Sequence, residues 1–394
     1  MGEQALIQYE RAIFSDEHTW FRDSVATFIE REIAPREPDI RERRQIPREV
    51  WTVAGASGFL GLGIAEDYGG SGTADFRFNA ILQEELAAAG MAYASCIGIH
   101  TDVVAPYLAE LTTPEQRARW LPGFCDGTRV TAIAMTEPEA GSDLAALRTR
   151  AERRDGGWAL TGSKTFITNG LAADLVIVAA RTDRGAASQG ITLFAVERDM
   201  PGFVRGRKLD KIGQHQADTA ELFFEDVFVP DENVLGQVGR GFVHMMERLP
   251  QERLSAACAN IAHAAAAVDR TLEYVRDRKA FGRSIGTFQA NRFALAEMTT
   301  LIDVTRTYVD RCLMAHVNGA LSDVDAAKAK WWTADVQNTV IDRCVQLFGG
   351  YGYMAEYDVA RSWADARVTR IWAGSNEIMK EVIGRSLGLA DEPR

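Results

Sequence analysis

Hydrophobic positions along this chain follow three successive rhythms. From about Asp16 to Leu121, apolar residues recur at three- and four-residue spacing, as in AILQEELAAAG and around VVAPYLAELTTPEQRARWL. That period predicts helices. Ser15 or Asp16 and Thr113-Pro114 read as helix starts, with Pro114 at the first helical position. From about Val130 to Pro230 the runs shorten or alternate: VTAIAM, WALTG, TFIT, DLVIVAA, ITLFAV and ELFFEDVFV. Turn chemistry (RRDGG, TNG, MPG) separates them, which predicts strands and hairpins. No helical crossovers intervene, so an antiparallel barrel or sandwich fits better than a parallel α/β sheet. From Gly241 to Leu389 long helical patterns return. FVHMMERLPQERLSAACANIAHAAAAVDRTLEYVRDR, FALAEMTTLIDVTRTYVDRCLMAHV and DAAKAKWWTADVQNTVIDRCVQLF predict a bundle of three or four helices. The expected fold is α+β. It has an N-terminal helical domain over 1–128, a middle β-barrel or sandwich domain over 129–236, and a C-terminal helical bundle over 237–394.

Length supports this partition. Single cores stop growing near roughly 250–300 residues, and the chain has 394. The formal charge, 44 − 55 = −11, lacks the basic face that nucleic-acid phosphates require. Five cysteines (96, 125, 258, 312, 344) form no CxxC pair, and six scattered histidines form no HExxH. Buried thiols in a reducing compartment are expected, with no disulfide framework and no metal site. The N-terminus, MGEQALIQYERAIF, reads as neither secretory signal nor transit peptide, and ADEPR carries no peroxisomal address. No apolar run approaches the ~18 residues that span a bilayer. A soluble cytoplasmic protein is the expectation.

Familiar catalytic signatures are missing. GFLGLGIAEDYGG is glycine-rich but lacks the dinucleotide spacing. There is no phosphate-binding Walker loop and no GxSxG elbow. Composition and periodicity therefore end at a helix–β–helix protein that binds a ligand between its parts.

Five stretches carry the reading further. In order they are AMTEPEAGSD (134–143), GSKTFITNG (162–170), RKAFGRSIGTFQ (278–289), QLFGGYGY (346–353) and IWAGSNEIMKEVIGR (371–385). Together they resemble the acyl-CoA dehydrogenase family, most nearly its long-chain branch. The resemblance runs from EDYGGSG near residue 66 to the C-terminal helix. It implies a C-terminal four-helix bundle, one FAD per subunit and a homotetramer built as a dimer of dimers. Around FAD it implies Met135, Thr136, Gly141, Ser142, Phe166 and Thr168. Glycine allows close backbone approach and successive N–H groups suit an anion. Many family members carry Trp where this chain has Phe166. Arg278, Phe281, Gln346, Gly349 and Gly350 would reach the FAD of a neighbouring subunit, the arginine through its planar fork, and Gln289 is a further cofactor-binding residue. Ser375 and Glu377 match further cofactor contacts, although an amide is also common at 377.

The base is the most informative position. Most family members carry the catalytic Glu in a YEGT-like segment, where this chain reads IWAGS with Ala373. Some branches place it on the first bundle helix, in LPQER for the long-chain branch. Here LPQER occupies 249–253, so Glu252 falls on the base position. Read alone, Glu252 is a solvated helix acid beside Arg253; the Glu lost at 373 turns the reading. The resemblance implies that Glu252 removes the α-proton of an acyl-CoA while the β-hydrogen leaves as hydride to FAD. It places Ser142, Arg253, Ala373 and Gly374 at the substrate. Electrons would pass to an electron-transferring flavoprotein. A non-catalytic member, a flavin oxidase or monooxygenase, and an acyl carrier protein in place of CoA remain as alternatives. Acyl depth is expected to be set around Gln83 to Ile99.

Overall fold

The computed structural model describes residues 11–183 and 190–389. The start of MGEQALIQYERAIF and the ADEPR tail lie outside the described residues. Seven helices open the chain: α1 (Asp16–Phe28), α2 (Glu37–Arg43), α3 (Arg48–Ala56), α4 (Arg77–Ala89), α5 (Met91–Gly98), α6 (Ala105–Glu110) and α7 (Pro114–Cys125). A wider π-type segment, Ile99–Val104, joins α5 to α6. Both anticipated starts are observed. Ser15 precedes α1. Thr113 caps α7 by accepting from the Gln116 N–H, while the Gln116 side chain accepts from the Thr113 N–H. This reciprocal box satisfies two of the donors that a helix start leaves open.

The middle region is a sheet of eight strands: β1 (Thr131–Ala134), β2 (Arg150–Arg154), β3 (Gly157–Thr168), β4 (Leu175–Arg181), β5 (Ile191–Glu197), β6 (Phe203–Lys208), β7 (Thr219–Pro230) and β8 (Val234–Leu235). Their order is β6-β7-β3-β2-β4-β5-β8, with β1 also on β4. WALTG and TFIT are one strand, β3, whose register against β7 shifts twice. The strand expectation of antiparallel pairing holds for most neighbours. However, β4 takes β1 and β2 in parallel, so the sheet is mixed. The physical reason is local: the β2–β3 hairpin is inserted between β1 and β4, so β1 reaches its partner by a crossover rather than a turn.

Four long or packing helices close the chain: α8 (Gly241–Asp277), α9 (Gln289–Val317), α10 (Asp323–Phe348) and α12 (Asn376–Ser386), with α11 (Asp358–Ala366) before the last. The short hairpin Lys279–Ser284 sits between α8 and α9. Alanines 257, 259, 264, 265 and 267 lie on the buried side of α8. Small side chains let α4 and α10 approach this axis closely. Arg11 ties the two helical regions together: it donates to Glu84 of α4 at 2.6 Å and to Asp310 of α9 at 2.5 Å. All five cysteines are buried and free. Among the described residues, no helix is long and apolar enough to cross a membrane. No group of three or more His, Cys, Asp or Glu there is placed to hold a metal ion.

Candidate active site

Where the N-terminal helices, the sheet and α8 meet, they enclose a cavity of about 280 Å³. Glu252 lines it from α8, Ala373 and Gly374 from the turn before α12, and Met135, Thr136, Gly141, Phe166 and Thr168 from the sheet edge. Eight of the sequence-assigned residues thus converge, while Ser142 is exposed and Arg253 is buried outside the lining. The far side is formed by Met91, Ala94, Gly98, Ile99 and Val103.

Glu252 is set two residues past Pro250, inside an uninterrupted helix. Its neighbours fix its place. Gln251 donates to the Asp102 carbonyl at 2.7 Å, and Ser255 donates to the Asp102 carboxylate at 2.5 Å. These bonds fasten the Ile99–Val104 segment to α8 on both sides of Glu252. One hydrogen bond reaches the carboxylate itself, from the Tyr107 hydroxyl at 3.3 Å. Burial pushes the Glu252 carboxyl up to about 7; the Tyr107 bond, Arg253 and Arg248 pull more weakly the other way. A carboxylate with that affinity is a far stronger base than a free one. Tyr107 is buried, and the Arg248 guanidinium lies 5.1 Å from its ring centroid while pairing with Glu110.

The turn at 373–374 is left-handed: φ is 51° at Ala373 and 80° at Gly374. This conformation is uncommon for alanine and is held from behind. Lys330 of α10, fully buried, donates to the Gly374 carbonyl at 2.5 Å. Burial lowers its ammonium to about 7, helped by the like charge of Arg253 and opposed by Glu377. Ser375 caps α12 by accepting from the Ile378 N–H. Arg253 is buried, and its Nε finds no partner among the described residues.

The opposite wall is fastened differently. Lys164 of β3 donates to the Met135 carbonyl at 3.0 Å and to Glu137 at 2.8 Å. Glu137 also accepts the backbone N–H groups of Arg148 and Thr149. Burial pushes its carboxyl up, but Lys164 and these bonds outweigh it and hold Glu137 below the usual range. The Thr165 N–H closes the loop onto the Thr136 carbonyl at 3.0 Å.

These residues fit FAD. Phe166 has φ 59° and is 67% exposed, so a large ring stands at the cavity edge with no protein over it. A planar aromatic group would bury it. Around Gly141 the approach is open, the first atom met by an added Cβ being Thr136 Cγ2 at 4.0 Å. Ser142 is exposed beside it.

The second sequence-assigned set does not join the first. Arg278, Gln346, Gly349 and Gly350 line a separate depression of about 510 Å³ with Tyr274 and Tyr351. No residue lines both. Arg278 lies 5.4 Å from the Tyr351 ring centroid. Phe281 is 94% exposed at φ 52°, and Gln289 and Glu377 are exposed. One chain therefore offers two incomplete surfaces, one for a planar ring and one bearing an arginine.

Sequence reasoning missed Tyr107 and Lys330. Neither belongs to a motif. For Lys330 a signal existed: it shares a helical face with Ala326, Ala327, Thr333, Ala334 and Gln337, all buried. A cation on an apolar stripe marks a buried partner.

Comparison with known proteins supplies independent findings. Residues 15–128, 132–227 and 239–388 match the descriptions "Acyl-CoA dehydrogenase, N-terminal domain", "middle domain" and "C-terminal domain". The long-chain specific acyl-CoA dehydrogenase of Rattus norvegicus, named mitochondrial, is 46% identical over 383 residues, covering 96% of this chain and 88% of that protein. A crystal structure of an acyl-CoA dehydrogenase from Geobacillus kaustophilus superposes with a TM-score of 0.94 at 45% identity, covering 96% of this chain and 99% of that one. A structure described as the electron transferring flavoprotein of Acidaminococcus fermentans superposes with a TM-score of 0.92 at 36% identity, over 96% and 99% of the two chains.

Proposed function

The chain belongs to the acyl-CoA dehydrogenase family, whose members are FAD-dependent oxidoreductases, and on that premise we propose that it converts an acyl-CoA to its trans-2-enoyl-CoA with Glu252 as the base. One observation carries the reading: the Glu252 carboxyl, pushed up to about 7 by desolvation, lines the same cavity as Ala373, which stands where the usual acid would be.

The chemistry of the residues follows. A thioester α-proton is weakly acidic, so its removal needs a base and a stabilised carbonyl oxygen. Glu252 accepts the proton at its carboxylate. The Ala373 backbone N–H, in the left-handed turn, serves as the donor to the carbonyl. Lys330 keeps that turn in place through Gly374. The apolar wall keeps water from the carboxylate and so preserves its basicity. FAD, when bound, supplies the two-electron acceptor for the β-hydrogen. Met135, Thr136, Phe166 and Thr168 would hold its ring side, and Gly141 and Ser142 would approach its diphosphate. Arg278, Phe281, Gln346, Gly349 and Gly350 would hold its diphosphate and adenosine side from a neighbouring subunit, with Gln289, Ser375 and Glu377 as further cofactor contacts.

The wider setting belongs to the same proposal. A homotetramer would bring the two incomplete surfaces together. Electron transfer to an electron-transferring flavoprotein is supported by family membership and by the Acidaminococcus neighbour. Fatty-acid or related acyl catabolism is the expected context. A cytoplasmic location is proposed, set against relatives named mitochondrial.

The test is an anaerobic titration of the flavin band with acyl-CoAs, for wild type and Glu252→Gln. Bleaching by wild type and a rate lower by on the order of 10³ in Glu252→Gln are expected. Equal rates would move the base elsewhere.

A further inference from the structure

Gln83 has no part in the chemistry above, yet it lines the same cavity from α4. It is 1% exposed, and its Nε2 has no hydrogen-bond partner among the described residues. A buried amide donor is normally satisfied, because leaving it dry forfeits its hydration without return. Around it the wall is largely apolar (Met91, Ala94, Ile99 and Val103), and its one hydroxyl, Ser95, bonds the Met91 carbonyl and Gln214. Gly98 packs directly against this amide. A Cβ built at Gly98 would stand 2.7 Å from Gln83 Nε2 and 2.9 Å from its Oε1, so any larger residue there would collide with the amide. The φ of Gly98 is −64°, ordinary helix, so backbone conformation does not require the glycine. The opening it leaves leads onto the amide.

In the empty cavity a water can satisfy this donor. An acyl chain that fills the cavity displaces that water. A plain hydrocarbon then leaves the N–H dry, whereas an oxygen on the chain replaces the lost bond. An ionised carboxylate is a poor replacement. No Lys, Arg or His lines the cavity to neutralise one, and its lining already holds the Glu252 carboxyl. Burying a second anion on one amide is costly.

Resting on the acyl-CoA reading above, we propose that the far wall selects acyl thioesters carrying a neutral hydrogen-bond acceptor, a hydroxyl or keto oxygen beyond Cβ, through Gln83 across the gap left by Gly98. Gln83 is thus a specificity residue for the acyl tail and is remote from bond breaking.

The test uses dodecanoyl-CoA, its mono-keto and mono-hydroxy derivatives along the chain, and the terminal dicarboxylic analogue. Binding is read first, by calorimetry on FAD-loaded Glu252→Gln protein, which holds the thioester without turnover. Relative kcat/KM on otherwise wild-type protein is read second. At one or two chain positions the oxygenated compound should bind roughly tenfold or more tighter than dodecanoyl-CoA. Gln83→Met, of similar length but without a donor, should bring that ratio to about one while binding the plain chain at least as well. Gly98→Ala should also lower the ratio. If Gln83→Met cannot be recovered folded, Gln83→Leu is judged by the same ratios. An unchanged preference in the variants, no preference for any oxygenated chain, or a preference for the dicarboxylic analogue overturns the proposal. Failure of every acyl-CoA to reduce wild type, with the Gln83-dependent binding preference intact, would overturn the dehydrogenase reading and leave this one standing.

Discussion

Two carboxylates, Glu252 lining the cavity and Glu137 next along the chain from the lining Thr136, behave in opposite ways. At the sheet edge, Glu137 is met by Lys164 and by two backbone N–H groups, and is held below the ordinary carboxylate range. On α8, Glu252 is met by one tyrosine hydroxyl and is pushed up to about 7. Each wall also has a buried lysine, but only Lys164 is paired with a carboxylate; Lys330 bonds a backbone carbonyl. Burial is common to both regions, so burial alone does not make a base. The difference lies in compensation. Where charges are matched the polar group is scaffolding, and where they are left short it is reactive.

The comparison breaks most visibly if the matched wall is made to resemble the unmatched one. Lys164→Met strands Glu137 without its cation, and urea denaturation should register a loss of roughly 3–5 kcal/mol. A loss below about 1 kcal/mol would mean that the two N–H groups suffice. Next comes the linkage on the other wall. The Glu252 carboxyl has an ordinary value of 4.5 and about 7 when folded. Between these pH values the folded protein keeps a proton that the unfolded chain has released, so this group costs stability as pH rises through that window. Glu252→Gln should therefore be more stable than wild type above neutrality, by on the order of 2–3 kcal/mol, and indistinguishable near pH 4. Thermal melts at both pH values check this.

A smaller effect is expected for Lys330→Met. With Gly374 released, kcat should drop on the order of tenfold or more with little change in KM and full FAD content. Parallel loss of FAD would assign Lys330 to folding instead. Finest of all is Tyr107→Phe. Its hydroxyl favours the ionised Glu252, so its removal should move the rising limb of the rate profile, near pH 7 in wild type, to higher pH by less than one unit. A shift to lower pH would contradict the hydrogen-bond direction.

Much of this architecture can be read along the chain, and the reasons are local. The continuous apolar run in DLVIVAA, the capping signal at Thr113 and the alanine-rich stretch of α8 each encode their own element. The strand β6 (FVRGRK) carries charges on a half-exposed edge and was not anticipated, nor was β2 with its run of RAERR. Parallel pairing of β1 with β4 depends on a partner 44 residues away, which no short window contains. The same holds at the site. Glu252 is legible because LPQER is contiguous, but Tyr107 lies 145 residues upstream of it, and Lys330 is 44 residues from the carbonyl it holds. Residues that act through space leave only a weak mark, such as a lysine on an apolar helix face.

Arg11 has a consequence in time as well as in space. It is synthesised long before its partner, because its bond to Asp310 spans 299 positions. Until then Arg11 has Glu84 alone, and the faces of α4 that α8 later covers stay wet. Long-range closure of this kind is slow, because chain entropy is lost before contacts repay it. The early helices are thus completed only when α9 arrives, and nascent chains that stop before α9 should present that helical region to chaperones and proteases as unfinished.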